Sequence, residues 1–295
     1  MFYDEDTILF LDGKFLKACE ARTDLYSQTL HYGLGVFEGL RAYKTVHGTK
    51  IFRAQEHFQR LLAGCKALDL PVAWSPEELT QISYQLLEQN GLTSAYIRPL
   101  VFCPPQMTLG SPASVSIAIA VWKWASYFGH RTVRACFATT RRNNPSASLM
   151  DCKVSGQYVN GILAANEAKK RGFDESIMCD ENGFVAQAPG ANFFFERDGA
   201  LFTAPTGQIF PGITRRTVID ICQHLDIPLI EQHTRPEELF DADAAFLCGT
   251  AAEITPVASI ENNPMGSNWD RSLSCMVRET YQSLVLDKSY SFTIV

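Results

Sequence analysis

Several features that mark whole classes of protein are missing from this sequence. Its longest apolar run, residues 115–122, is far shorter than the roughly 20 residues of a membrane-spanning helix. The acidic start MFYDED lacks the basic and apolar pattern of a signal peptide. The nine cysteines include no CxxC pair, and an odd number argues against a disulfide framework or a zinc site. A net charge of -6 and the lack of a basic run argue against binding to nucleic acid or to an anionic membrane. These absences favour a small-molecule ligand and a cytoplasmic location.

The length and hydrophobic content of the sequence are sufficient for two domains that share one compact body. The chain has 295 residues, of which 46% are hydrophobic. Two apolar runs around Asp12-Gly13 predict a β-hairpin, and turn signals at 181–183 and 197–199 separate short strands later in the chain. We predict an α/β (α+β) fold with a small N-terminal domain at 1–122, an interdomain loop at 123–130 and a larger, β-rich domain at 131–295.

Individual elements follow from apolar spacing and from start and stop signals. A helix over 76–89 is indicated by Ser75, Pro76 and Glu78 at its start and by Asn90-Gly91 at its end. Apolar periodicity predicts other helices at 55–68, 157–170, 214–225 and 236–240, and strands at 95–102, 115–122 and 132–139.

Two segments combine glycine with a hydroxyl at the end of a predicted element. In PGITR, from Pro211, Gly212 and Thr214 stand where a helix opens, a place that suits phosphate binding. The alternative is that Gly212 makes a turn and Thr214 caps the helix. In GTAAE, from Gly249, small residues follow an apolar run and let backbone amides approach an anion, or they simply form a tight turn.

Two further positions are ambiguous on residue type alone. Lys153 lies outside any amphipathic helix, and a lone lysine is usually a solvated surface charge. Tyr96 and Arg98 alternate along a predicted strand and therefore project to one face, where a buried arginine would need an anionic partner. Neither observation assigns a reaction.

The motifs taken together resemble the branched-chain amino-acid aminotransferases, which are fold-type IV enzymes dependent on pyridoxal 5'-phosphate (PLP). The resemblance covers nearly the whole chain and rests on HYGLGVFEGLRAY (31–43), EHFQRL (56–61), SAYIRPL (94–100), PGITR (211–215) and GTAAEITPV (249–257). It implies a small and a large domain with PLP in the cleft. It also implies a homodimer or higher homo-oligomer in which a neighbouring subunit helps to close the site.

The resemblance also assigns roles to single residues. Lys153 matches the catalytic lysine that holds PLP as a Schiff base, and Tyr158 matches the phenol near the 3-oxygen of PLP. The matching phosphate ligands are Arg60, Ile213, Thr214 and Thr250, although helical geometry alone places Arg60 off the apolar face of its helix as a solvated charge. The residues that match the substrate pocket are Tyr32, Phe37, Arg41, Tyr96, Arg98, Tyr127, Ala251 and Ala252.

The implied reaction is ping-pong transamination of branched-chain L-amino acids with 2-oxoglutarate. One cofactor position departs from the family. An acidic side chain normally meets the pyridine nitrogen, and the matching residue is Gln187, whose neutral amide supplies only a hydrogen bond.

Two questions stay open at this point, the effect of Gln187 and the class of substrate. Gln187 is a tolerated variant, or it slows or redirects the chemistry, and in the extreme the chain binds PLP with little turnover. A D-amino-acid aminotransferase of the same fold is the nearest other enzyme, against which the Tyr-Ile-Arg and GTAAE segments favour L-branched-chain substrates.

Overall fold

The computed structural model describes residues 2–124, 128, 132–266 and 269–288. Their contacts divide the chain into two compact units. The first comprises Met1–Ala125 and Asp151–Gln157, and the second comprises Ser126–Met150 and Tyr158–Val295. The segment that carries Lys153 thus belongs to the first unit, although it lies in the sequence range predicted for the second domain. The mixed α/β fold class is confirmed.

The first unit is a seven-stranded sheet covered by two long helices. Strands run in the spatial order β2-β1-β7-β6-β4-β5, and β3 also pairs with β6. The strands are β1 (Ile8–Leu11), β2 (Lys14–Lys17), β3 (Gly35–Phe37), β4 (Leu40–Thr45), β5 (Gly48–Ile51), β6 (Ala95–Phe102) and β7 (Ser116–Trp122). The helices are α1 (Gln28–Tyr32), α2 (Ala54–Ala67) and α3 (Pro76–Gln89).

Helices α2 and α3 pack their apolar faces on the sheet because leucine and phenylalanine recur at helical spacing. Phe58, Leu61 and Leu79 are fully buried there. The predicted hairpin is confirmed, and Asp12 and Gly13 both take the positive φ that its two-residue turn requires.

The start of α3 has the capping box that the sequence predicts. The Ser75 hydroxyl accepts a hydrogen bond from the Glu78 N–H, and the Glu78 carboxylate accepts one from the Ser75 N–H at 2.8 Å. We expect Ser75→Ala to lower the free energy of unfolding by about 1 kcal/mol, measured by urea denaturation, because a helix-end N–H loses its partner. The exposed Ser111 provides the control, since S111A should leave the value unchanged. An equal effect of both changes would contradict the capping role.

The second unit contains a nine-stranded sheet that closes on itself. Strands β10, β9, β8, β15, β14 and β11 are neighbours in that order, and the pairing of β10 with β11 completes the ring. The strands are β8 (Val133–Phe137), β9 (Glu175–Cys179), β10 (Val185–Gln187), β11 (Asn192–Arg197), β12 (Ala200–Thr203), β13 (Leu229–Glu231), β14 (Ala244–Gly249), β15 (Glu253–Ile260) and β16 (Asn263–Pro264). Its helices are α4 (Val159–Lys170), α5 (Ile213–His224) and α6 (Leu273–Val285).

The helix predicted at 236–240 is present as a short 3-10 helix, Pro236–Leu239. A segment of four residues is too short to establish α-helical hydrogen bonding. Within the described ranges, no helix is both long enough and apolar enough to cross a membrane.

Candidate active site

Lys153 is fixed through its backbone to strand β3. The Phe37 N–H donates to the Lys153 carbonyl at 3.1 Å, the Gly156 N–H donates to the Gly33 carbonyl at 3.0 Å, and Val36 forms a β-bridge with Val154. The Lys153 Nζ atom lies 5.3 Å from the centre of the Phe37 ring. Lys153 is therefore held by main-chain bonds that do not depend on its side chain.

Gly33 makes this close approach possible. It has a φ of 70°, and a Cβ at this position would lie 2.7 Å from the Gly156 Cα atom. Any other residue would push the lysine segment away from the sheet.

Arg98 lies among aromatic rings. Its guanidinium carbon is 4.8 Å from the centre of the Phe37 ring and 5.3 Å from that of Tyr96, and its Nη2 donates to the Tyr96 hydroxyl at 3.2 Å. The Nε atom is buried and has no hydrogen-bond partner within the part of the chain that is described. The predicted common face of Tyr96 and Arg98 is confirmed. A partly buried guanidinium whose buried Nε–H is unsatisfied is a suitable site for a carboxylate.

Arg60 is held by a buried carboxylate that the sequence did not reveal. Its Nε donates to Glu38 Oε1 at 2.6 Å and its Nη2 donates to Glu38 Oε2 at 3.0 Å. The nearby His57 Nδ1 lies 2.8 Å from Glu38 Oε2. The interpretation of Arg60 as a solvated helix-surface charge is wrong, because Glu38 gives it an ion-pair partner and only 16% of its side chain is exposed.

Electrostatics favour an ionised Glu38 beside a neutral His57. Burial acts to raise the Glu38 pKa, but the Arg60 charge and the His57 hydrogen bond outweigh it and hold the pKa well below its usual range. Burial lowers the His57 pKa, and the positive charges of Arg60 and Lys153 add to that effect against Glu38. A neutral His57 then donates from Nδ1.

The other predicted site residues of the first unit differ in how exposed they are. Arg41 is buried, and its Nη2 donates to the Trp124 carbonyl at 3.2 Å. Tyr32 is 45% exposed, and its hydroxyl donates to the Met107 carbonyl, so it lies on the surface of this chain. Tyr127 falls outside the described residues.

Gln187 is buried and has a fixed amide orientation. Its Oε1 accepts the Phe210 N–H at 2.7 Å, and its Nε2 donates to the Ala188 carbonyl at 3.1 Å. Because an N–H can only donate and a carbonyl can only accept, these two contacts determine which end of the amide is oxygen. The backbone around this position suits glutamine, since a carboxylate oxygen at the Nε2 position would face the Ala188 carbonyl.

Asn192 links Gln187 to the start of α5. It pairs with Gln187 across β10 and β11, and its Nδ2 donates to the Phe210 carbonyl at 2.9 Å. Gly212 is the N-cap residue, and a Cβ there would meet the Asn192 side-chain oxygen. Gly212 is thus required for close packing in front of the helix.

The N-terminus of α5 matches a phosphate site better than a conventional cap. Its N-cap residue Gly212 has no side chain that could cap it, and Thr214 is buried at its second position, so the alternative in which Thr214 is the cap is wrong. Ile213 is buried beside it. The N–H groups of a first helical turn and the helix dipole together favour an anion.

The GTAAE segment forms the tight turn between β14 and β15. Gly249 pairs with Glu253 across these strands, which leaves Thr250, Ala251 and Ala252 in the turn. A Cβ on Gly249 would contact the Gly190 carbonyl at 3.3 Å. The two tight turns, 188–191 and 250–252, therefore lie side by side, and Gln187 adjoins them.

Tyr158 stands directly before α4 in the second unit. Arg142 interacts electrostatically with it, and burial lowers the pKa of Arg142 while Tyr158 opposes the change. The Arg142 Nε is buried without a hydrogen-bond partner among the described residues.

Sequence reasoning missed Arg142, Glu38, His57 and Trp124. The only signal for Glu38 and His57 was their place inside quoted motifs.

The sequence is similar to a known protein family and to known enzymes over most of its length. Residues 35–260 match the family described as Amino-transferase class IV. The chain is 34% identical over 293 residues to a branched-chain-amino-acid aminotransferase of Pseudomonas aeruginosa, covering 97% of this chain and 95% of that protein. It is 37% identical over 266 residues to the Escherichia coli (strain K12) protein of the same name, covering 88% and 86%.

Solved structures agree at the level of the whole fold. A branched-chain aminotransferase from Thermoproteus uzoniensis with norvaline superposes with a TM-score of 0.92 at 38% identity, covering 96% of each chain. The branched-chain amino acid aminotransferase from Thermobaculum terrenum in its PLP-bound holo form gives 0.90 at 27% identity, covering 97% and 96%. The D-amino-acid alternative gains no support from these relatives. The chain belongs to the class IV aminotransferases, a family of PLP-dependent enzymes.

Proposed function

We propose that this protein transfers the amino group of branched-chain L-amino acids to 2-oxoglutarate by a ping-pong mechanism, with Lys153 as the catalytic residue. The observation that carries the proposal is the environment of Phe37. The Lys153 amine and the Arg98 guanidinium both lie against its ring, at 5.3 Å and 4.8 Å from its centre. An amine that can bind a cofactor aldehyde and a cation that can bind a carboxylate are thus close together.

The residues present fit PLP. The N-terminus of α5, with buried Thr214, suits the phosphate group, and we assign the positive charge of Arg60 to the same phosphate. We assign Ile213 and Thr250 to the same phosphate and Tyr158 to the 3-oxygen. Gln187 uses one N–H of Nε2 on Ala188 and leaves the second for the pyridine nitrogen.

Bound PLP supplies an electron sink for the negative charge that develops when an amino acid loses its α-proton. Lys153 then has two tasks. Its Nζ atom would hold the cofactor in the resting enzyme and, as a free amine, would carry the α-proton of the substrate. Main-chain bonds to β3 keep the lysine in place during both tasks because they involve only its backbone.

One pocket must accept a branched side chain in one half-reaction and a carboxylate in the other. Phe37 and Tyr96 offer apolar surface to the first, and Arg98 offers charge to the second. We assign Arg41 and the backbone of Ala251 and Ala252 to the substrate carboxylates, and Tyr32 and Tyr127 to the rim of the pocket.

Gln187 should lower the rate without removing activity. Because its Nε2 can only donate, Gln187 pairs with an unprotonated ring nitrogen, whereas a carboxylate would accept from the protonated nitrogen and favour it by about 1.4 kcal/mol, the usual difference between neutral and charge-assisted hydrogen bonds. We therefore expect Gln187→Glu to raise the amino-acid half-reaction rate about tenfold in stopped-flow absorbance. The same change should reduce folding stability by about 1–3 kcal/mol, because the new carboxylate faces the Ala188 carbonyl.

Gln223, which is exposed on α5, allows a matched control with the same chemical change. Q223E should leave both the rate and the stability near their original values. If Q187E left the rate unchanged or lowered it, our account of this position would be wrong.

The surface supports assembly of identical subunits. In the first unit, two chain segments that hydrogen-bond to each other carry exposed apolar side chains. These side chains are Leu25, Tyr26, Leu30 and Tyr32 on one segment, and Met107 and Leu109 on the other. In the second unit, Val159, Ile162 and Leu163 are exposed on α4. Grouped apolar side chains favour burial against a partner. We propose a cytoplasmic homodimer or larger homo-oligomer.

Two measurements test the proposed function. Borohydride reduction followed by peptide mapping should place the cofactor on Lys153. Initial rates with L-leucine and 2-oxoglutarate should give parallel double-reciprocal lines, the pattern of a ping-pong reaction. Attachment of PLP to another lysine, or intersecting lines, would contradict the proposal.

A further inference from the structure

Glu38 is a buried ionised side chain to which the proposed reaction gives no task. Only 1% of it is exposed, and its carboxylate accepts hydrogen bonds from three residues of the first unit. Arg60 donates twice, at 2.6 and 3.0 Å, His57 Nδ1 donates at 2.8 Å, and the Gly39 N–H donates at 3.2 Å. All these contacts converge on one carboxylate directly after Phe37.

The position of this carboxylate is fixed by the sheet. The Glu38 N–H donates to the Pro99 carbonyl at 3.0 Å, and the preceding Phe37 N–H holds the Lys153 carbonyl. Arg60, in contrast, projects from helix α2. Glu38 therefore connects the backbone that holds Lys153 to the helix that carries Arg60.

The geometry of the contact restricts the arginine strongly. Glu38 binds Nε and Nη2, which are two points on one edge of the planar guanidinium, and this sets both its position and the orientation of its plane. A single hydrogen bond would leave the group free to rotate. A flexible arginine loses side-chain entropy when it binds an anion, and an arginine already held in place loses less.

Helix α2 does not need this ion pair to pack on the sheet. Phe58, Leu61 and Cys65 of the same helix are already buried in the apolar core. A buried ion pair is also often replaceable by apolar residues without loss of stability. Apolar packing alone would therefore hold α2 on the sheet. The carboxylate of Glu38 is explained if its task is to set the orientation of Arg60.

We propose that Glu38 is a positioning residue that orients Arg60 for the cofactor phosphate, with His57 as a hydrogen-bond donor that holds the Glu38 carboxylate. This inference rests on the proposed function, in which Arg60 binds that phosphate. It assigns Glu38 and His57 to cofactor recognition and to no chemical step.

The test compares PLP with pyridoxal, which lacks the phosphate group. The dissociation constants of both compounds are measured on cofactor-free protein by absorbance. We expect Glu38→Gln to raise the value for PLP at least about tenfold, as for other residues that orient a ligating group. The value for pyridoxal should not change. Glu56→Gln, which removes a partly exposed carboxylate from the same helix, should change neither.

The double variant E38Q/R60A separates positioning from general destabilisation. If Glu38 acts through Arg60, the double variant binds PLP no more weakly than R60A alone. It also removes both buried charges, so it provides a folded comparison if E38Q itself fails to fold. Additive losses, or an equal loss of PLP and pyridoxal in E38Q, would overturn the inference.

The wild-type protein separates failure of the phosphate site from failure of the role of Glu38. If it binds PLP no better than pyridoxal, the proposed phosphate site and the role of Glu38 both fail. If it prefers PLP and E38Q keeps that preference, only the role of Glu38 fails.

Discussion

Replacing Lys153 by alanine should lower kcat at least about 10⁴-fold, because the variant loses both the covalent link to PLP and the group that carries the α-proton. Folding should be preserved, since the bonds of Lys153 to β3 involve only its backbone. The turnover of L-leucine with 2-oxoglutarate and the circular dichroism of the variant are the measurements. Lys66, which is exposed on α2, offers a control of the same chemical kind.

K66A should retain full activity. A K153A protein that is folded, retains PLP and loses less than about tenfold in kcat would show that another group moves the proton. The same outcome would remove Lys153 from its catalytic role.

The second large effect concerns Arg98 and is specific to one half-reaction. Arg98→Met should raise the KM for 2-oxoglutarate about 100-fold, equivalent to about 2.7 kcal/mol, because the variant loses the guanidinium that we propose pairs with the second carboxylate of this substrate. The half-reaction with L-leucine should change much less, since its side chain carries no charge. Single-turnover kinetics of each half-reaction separate the two effects.

Two further variants sharpen this prediction. Arg98→Lys retains the charge but loses the planar group that stacks on Phe37 and Tyr96, so we expect an intermediate KM. Arg22→Met alters an exposed arginine of the same unit and should have no effect. An equal loss in both half-reactions would show that Arg98 binds a group common to both substrates.

Local sequence signals predicted local structure well. The hairpin around Asp12-Gly13 and the capping box at Ser75 appear as expected, because each depends on residues within four positions of one another. Helix α6 was not predicted, since its buried positions include the polar Ser274 and Thr280, which interrupt the apolar pattern. The closure of the second sheet depends on pairings between distant strands, which no short window of sequence contains.

In the site as well, contacts between residues distant in the sequence could not be predicted from local patterns. The roles of Lys153 and Gln187 were assigned only through resemblance to a family, because residue type and spacing did not distinguish Lys153 from a surface charge. The bond from Arg60 to Glu38 spans 22 residues and joins a strand end to a helix, so helical periodicity treated Arg60 as solvated. The amide orientation of Gln187 depends on the Phe210 N–H, which is brought to it by the fold.

Action on branched-chain L-amino acids is the central claim about this enzyme. The most direct test mixes the PLP-loaded protein with L-leucine, or with D-alanine, in the absence of any 2-oxo acid, and follows the cofactor absorbance. We predict that L-leucine converts the cofactor to its pyridoxamine form with release of one equivalent of 2-oxo acid, and that D-alanine leaves the spectrum unchanged. Conversion by D-alanine alone, or by neither amino acid, would contradict the account.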